Sequence, residues 1–157
     1  MTTLTKEEQY QTIEDDFNLL FELGFVALKQ SDFTSSTQLF QAITAIDPDD
    51  TSHQFGLACI AMYKLELDKS AELFKKYLTS NPQNERVRIC LGLVYILSLE
   101  KTKEGEKIVQ EVLDKTTNPP IKDLAKRVLE WSAKNTDKKV AFNSSQTTSD
   151  GKKKFQI

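Results

Sequence analysis

The chain has 157 residues, 39% hydrophobic and 28% charged, the length and balance of one folded domain, which excludes disorder throughout and a membrane protein. Its net charge of −2 is uneven: from Asn135 onward five lysines oppose Asp137 and Asp150, giving +3 and leaving −5 on the body. An acidic body excludes the basic footprint of a nucleic-acid-binding surface.

The amino terminus, MTTLTKEEQY, has no basic start followed by an apolar stretch, so no secretory signal is expected. Thr5-Lys6-Glu7-Glu8 has the form of a capping box and predicts a short helix ahead of the first long periodic segment. Helical periodicity then runs from about Asp16 to Lys29, breaks at Gln30-Ser31-Asp32, and resumes with the apolar seam Leu39, Phe40 and Ile43. Ile46-Asp47-Pro48-Asp49-Asp50 closes this segment, since proline cannot continue a helix and aspartate can cap the next one. Asp49 and Asp50 lack the glycine and closing glutamate of a calcium loop and read as turn residues.

A second pair of helices is expected from about Ser52 to Lys64 and around Ala71, Phe74, Tyr77 and Leu78, closed by Ser80-Asn81-Pro82-Gln83-Asn84. A third runs from about Glu85 to Leu97 and around Ile108, Val109, Val112 and Leu113. The longest nearly uncharged run, Ile89 to Leu99, is far short of the ~20 residues a membrane-spanning helix needs. A cytoplasmic location without membrane insertion is therefore expected. Cys59 and Cys90 sit in apolar helical surroundings and read as buried, unpaired thiols of a reducing compartment.

Pro119-Pro120 opens a further helix, about 120–134, whose face Ile121, Leu124, Ala125, Val128 and Trp131 is apolar and whose other side is charged, as a terminal cap requires. The folded domain is accordingly expected at 1–134. Residues 135–157 are Ser/Thr-rich and predict a disordered tail, whose run Lys152-Lys153-Lys154 is too short to mark a lipid or nucleic-acid site.

Superposing residue 17 on 51 and 85 without gaps aligns Phe21 with Phe55 and Ile89, Leu23 with Leu57 and Leu91, and Gly24 with Ala58 and Gly92. The same register aligns Ala27 with Ala61, Phe40 with Phe74, and Pro48 with Pro82. The period is 34 residues, giving units at about 17–50, 51–84 and 85–118, each of two helices.

The Leu23-Gly24 and Leu91-Gly92 pairs, Tyr95, Ala27 and Ala61, Phe40 and Phe74, and Pro48 and Pro82 resemble the tetratricopeptide repeats. The usual early tryptophan is absent, Ser36 and Ser70 stand where alanine is common, and the third unit has no closing proline before Pro119. The resemblance implies an all-α fold, a right-handed superhelix of three helix-turn-helix repeats with a C-terminal capping helix. In this family the first helix of each repeat lines the concave surface and its other side packs inward.

The expected packing side is Leu20, Leu23, Gly24, Ala27, Leu57, Ala58, Ala61, Leu91, Gly92 and Tyr95. The expected partner-binding groove is Phe21, Phe25 and Leu28 with Lys29, then Phe55, Cys59, Met62 and Tyr63, then Ile89, Leu93, Ile96 and Leu97. Only Lys29 among these is charged, so an open groove would bind an apolar peptide or amphipathic helix. Phe21, Phe25, Phe55, Cys59 and Ile89 occupy the places where relatives that clamp acidic peptides carry Lys, Asn and Arg, which excludes a carboxylate clamp.

The stretch LFELGFVALKQSDFTSSTQLFQAITAIDPDDTSHQFGLACIAM is similar to the tetratricopeptide chaperones of bacterial type III secretion. That similarity implies a cytoplasmic chaperone holding an aggregation-prone needle subunit or translocator before export. Needle-subunit chaperones work beside a small helical co-chaperone and translocator chaperones dimerise, so both partners stay open. The alternative is an adaptor linking soluble proteins in an assembly. No enzyme is expected: there is no glycine-rich phosphate loop or GxSxG elbow. His53 is the one histidine and has no Cys or His at metal-ligand spacing, so neither cofactor nor metal is expected.

Overall fold

The computed structural model describes residues 5–150, with side chains described as far as Asn135. The described residues form helices and no strand: α1 (Lys6–Lys29), α2 (Phe33–Ile46), α3 (Ser52–Tyr63), α4 (Leu67–Ser80), α5 (Glu85–Leu97), α6 (Thr102–Lys115) and α7 (Pro119–Asp150). They fall into two compact units, one reaching to Val87 and the other starting at Arg88.

In the first unit α1 opens on the expected capping box. The Glu8 N–H donates to the Thr5 hydroxyl at 3.3 Å, and the Thr5 N–H donates to the Glu8 carboxylate at 2.7 Å. The separate short helix expected there is absent, and α1 is continuous over 24 residues. The sequence between Thr5 and Gly24 contains neither proline nor glycine, so nothing interrupts the main-chain ladder.

Two connections in this unit share one geometry, 34 residues apart. After α1, Ser31 takes φ 61° and the Asp32 N–H reaches back to the Ala27 carbonyl at 3.0 Å. After α3, Leu65 takes φ 59° and the Glu66 N–H reaches the Ala61 carbonyl at 2.9 Å. Both are Schellman closures made without the usual glycine. Asp32 then caps α2, accepting from the Ser35 N–H at 3.0 Å.

The departures from alanine at Ser36 and Ser70 have a direct role. Each side chain is fully buried; Ser36 donates to the Gly24 carbonyl at 2.8 Å and Ser70 to the Ala58 carbonyl at 2.9 Å. A short hydroxyl thus ties the second helix of a repeat to the first. Phe40 lies between two glycines: a Cβ on Gly24 would stand 2.8 Å from its ring, and one on Gly56 would clash with the ring outright. Phe40 and Phe74 are both completely buried, each burial stabilising by ~1.5–3 kcal/mol. The aspartate-rich turn acts as expected, with Asp47 accepting from the Asp49 N–H at 3.0 Å and Asp50 from the Ser52 N–H at 2.6 Å.

In the second unit α5 and α6 approach backbone to backbone at Gly92 and Gly105. A Cβ on Gly105 would overlap the Gly92 carbonyl oxygen and stand 2.7 Å from the Ile96 nitrogen. Around this contact Ile89, Ile96, Val109, Val112, Ile121, Ala125 and Val128 form a buried cluster contributed by α5, α6 and α7. Arg88 meets Glu111 at 3.4 Å between α5 and α6, a partly exposed pair contributing at most ~1 kcal/mol. Ser132, fully buried, donates to the Glu106 carboxylate at 2.6 Å and fastens α7 to α6.

Asn118 caps α7 through its side-chain oxygen, which accepts from the Ile121 N–H at 3.4 Å, and Pro119 takes the first helical position. The helix continues to Asp150, well past the boundary at 134 expected from composition. No proline or glycine lies between Pro120 and Gly151, so the chain contains no stop signal there. The remainder of the expected tail, residues 151–157, lies outside the described residues. No described helix is long and apolar enough to cross a membrane.

Candidate partner-binding surface

In the first unit a row of aromatic side chains runs from α1 across α3 to α4. Phe17 stacks on Phe21 at 6.4 Å between ring centroids, Phe21 meets Phe25 at 5.1 Å, and Phe25 meets Phe55 at 5.8 Å. Phe55 in turn lies 6.0 Å from both Phe74 and Tyr77. Phe21 and Phe25 also pack edge-on against Phe40, at 5.8 and 5.1 Å. The i, i+4 spacing on α1 places Phe17, Phe21 and Phe25 on one side, and the 34-residue register brings Phe55 beside them. Phe21, Phe25, Phe55 and Met62 are half-buried, and Tyr63 is 53% exposed. The row therefore has one flank in the core and one in solvent.

In the second unit Leu93 and Leu97 are half-buried and line, with Arg127, Val128 and Trp131 of α7, a cleft of about 360 Å³. Trp131 is 41% exposed. Arg127 is held along α7 by Asp123 at 2.8 Å, leaving the rest of the lining apolar.

Four of the expected groove residues are core instead. Leu28 and Cys59 are buried in the first unit, and Ile89 and Ile96 in the second. Ile89 and Ile96 belong to the cluster capped by Ile121, Ala125 and Val128, so α7 covers the face that the repeat register assigned to a partner. Leu23 departs in the opposite sense: expected to pack inward, it is 43% exposed and lies with Leu19 and Val26 on an outward stripe of α1. The inward face is centred on Gly24, Ala27 and Leu28, and Leu23 falls about 100° around the helix from its neighbour Gly24. Of the other expected packing residues, Ala58, Ala61, Leu91 and Tyr95 are buried, whereas Leu20 and Leu57 are half-buried.

Several apolar side chains of these surfaces escape a register argument. Trp131 was legible only as part of the capping face; Phe17 opens the first repeat but has no apolar counterpart at Thr51 or Glu85, and Tyr77 lies on a second helix. The i, i+4, i+8 spacing of Phe17, Phe21 and Phe25 was the available signal for the first of these. His53 makes a local contact, Nδ1 lying 2.9 Å from the Asp50 carbonyl, and no group of His, Cys, Asp and Glu among the described residues is placed to hold a metal ion.

No protein-family model and no curated protein matches the sequence. Solved structures do. The type III secretion translocator chaperone SycD of Yersinia enterocolitica superposes with a TM-score of 0.64 at 18% identity, over 82% of this chain and 98% of that one. SycD in complex with a peptide of the translocator YopD gives 0.60 at 19% identity, over 78% and 95%. A type III secretion complex from Aeromonas hydrophila gives 0.60 at 19% identity, over 78% and 84%. This chain therefore has the all-helical fold of a type III secretion translocator chaperone.

Proposed function

We propose that the protein is a chaperone of type III secretion, holding an apolar, aggregation-prone needle subunit or translocator in the cytoplasm before export, and that it is not an enzyme. The observation that carries this reading is the fold likeness to SycD, which takes in nearly the whole of that chaperone, together with a similar structure that contains a translocator peptide. The half-open aromatic row Phe21, Phe25 and Phe55, with Met62 and Tyr63, offers a client apolar contact, as do Leu93, Leu97 and Trp131. Each client side chain buried on such a surface would contribute ~1.5–3 kcal/mol before ordering costs. Met62 lends the surface adaptability.

The outward stripe Leu19, Leu23 and Val26 supports a further contact, with a helical co-chaperone or a second copy of the chain. Light scattering on the purified protein, alone and after co-expression with its client, distinguishes these.

The test is affinity capture with the full chain in a bacterium carrying a type III system, followed by aggregation assays with what is recovered. A needle subunit or translocator is expected in the capture and is expected to stay soluble with the chaperone present. Recovery of neither, from protein with native helical content, overturns the reading; recovery of soluble assembly components alone favours the adaptor.

A further inference from the structure

Beside the aromatic row, and in the same unit, the first half of α1 and the turn joining α2 to α3 enclose a cleft of about 420 Å³. Its floor is apolar: Tyr10, Ile13 and Phe17 from α1 and Ile46 from the end of α2. Tyr10 and Ile13 continue the inward face of α1, yet they are 73% and 48% exposed, and every residue from Lys6 to Asp16 is open to solvent. The rest of the lining is Glu14, Asn18, Asp47 and Asp50, with no lysine or arginine.

Phe17 belongs to both surfaces. It lines the cleft and stacks on Phe21 at 6.4 Å, the first contact of the row that runs on to Phe25 and Phe55. Tyr10, Phe17, Phe21 and Phe25 share one side of α1, which is about 22 Å long from Tyr10 to Phe25. A single helical segment of ~15 residues would reach from one end to the other.

The two ends differ in charge. Among the described residues the ion pairs involve Glu66, Glu111 and Asp123, and none involves Glu14, Asp47 or Asp50. Asp47 and Asp50 accept from turn N–H groups, which supply no counter-charge. An apolar floor inside an acidic rim fits a long cationic side chain, whose aliphatic stem covers apolar surface while its head stays at the polar edge. An acidic occupant would be repelled, and a purely apolar one would leave the rim without compensation.

We propose that this cleft selects the client: the segment held on the aromatic row carries a cluster of lysines or arginines at one end, and that end sits on Tyr10 and Ile13 among Glu14, Asp47 and Asp50. That the occupant is a client rests on the chaperone reading; its charge pattern and orientation rest on the cleft. The contact is electrostatic at its rim and weakens as salt is raised.

The experiment uses the purified full chain and three synthetic helical peptides of about 15 residues. They share a Leu and Phe stripe at helical spacing and differ only at one end, where a short run is Lys, Gln or Glu. Fluorescence anisotropy is expected to rank them in that order, the Lys peptide about tenfold or more tighter than the Glu peptide at low salt, with the gap closing as salt is raised. A photo-crosslinker at the Lys end is expected to label α1 around Tyr10, and one at the other end the neighbourhood of Phe25 or Phe55. Glu14→Gln, Asp47→Asn and Asp50→Asn together keep the oxygen acceptors of the turn; they are expected to abolish the ranking and leave the Gln peptide's affinity unchanged, which a misfolded cleft could not do. Equal affinities, binding by none of the peptides, the reverse orientation, or a ranking that survives the triple substitution overturns the proposal. Such a failure leaves the capture result standing, whereas capture of no secretion client beside an intact ranking removes the chaperone reading and keeps the cleft's selectivity.

Discussion

Leu65 holds φ 59° with its side chain 69% exposed, so it bears the steric cost of the left-handed region, ~1–2 kcal/mol, without repaying it in burial. Glycine removes that cost and adds ~0.5–1 kcal/mol of chain entropy. Leu65→Gly is therefore expected to raise stability by about 0.5 kcal/mol, read as a small upward shift in a urea midpoint. Gly105→Ala is expected to act the other way. Its new methyl group meets main-chain atoms of α5, which cannot rotate aside, and overpacking of ~1–3 kcal/mol exceeds the ~1 kcal/mol gained in helix propensity; the urea midpoint should fall. At the α2 cap, hydrogen bonds from Ser35, with a smaller one from the Thr34 main chain, hold the Asp32 carboxyl below its ordinary 3.8. A lowered folded pKa means that the cap's charge-dependent contribution is complete above the ordinary value and lost as pH falls through the folded one. Thermal unfolding followed through that acid range should show a wild-type loss that Asp32→Asn lacks. Capping and turn residues such as Thr5, Asp32 and Pro48 were legible because their chemistry is local; the roles of Ser36 and Ser70 were not, because their acceptor carbonyls lie on another helix, 12 residues away.

At the scale of the element, periodicity located the helices of all three repeats and their turns, since an apolar stripe at 3.6-residue spacing is a property of each segment alone. Two helices, α1 and α7, run further than the lengths expected for them, and neither Lys6–Leu23 nor Ile121–Asp150 contains a proline or glycine to end them sooner. Helix α5 shows the limit of register. It repeats the pattern of α1 and α3, yet α7 follows it and places Ile121, Ala125 and Val128 against Ile89 and Ile96. Ile96→Ala is therefore expected to cost ~2–5 kcal/mol of stability, as a fully buried isoleucine should. A loss below ~0.5 kcal/mol on equilibrium unfolding would instead return Ile96 to an open surface.

For the whole molecule, the residues that sequence reasoning assigned to one partner-binding groove divide into core and accessible sets. Tyr63 belongs to the accessible set and is 53% exposed, so Tyr63→Asp is expected to leave stability within ~0.5 kcal/mol of wild type. If Tyr63 contacts the client, the same substitution should weaken capture about tenfold, the scale of an aromatic hot spot; unchanged affinity in a titration with the captured client would remove it from the interface. The sequence by itself determined the all-helical class, the 34-residue repeat and the small and aromatic residues on which paired helices close, because periodicity, capping and turn chemistry act within a few residues. Only the tertiary structure decided which apolar positions stay open, placing Leu28, Cys59, Ile89 and Ile96 inside and Leu23, Tyr63 and Trp131 in solvent. Exposure depends on which element packs over a face, and that element can lie dozens of residues away in the chain.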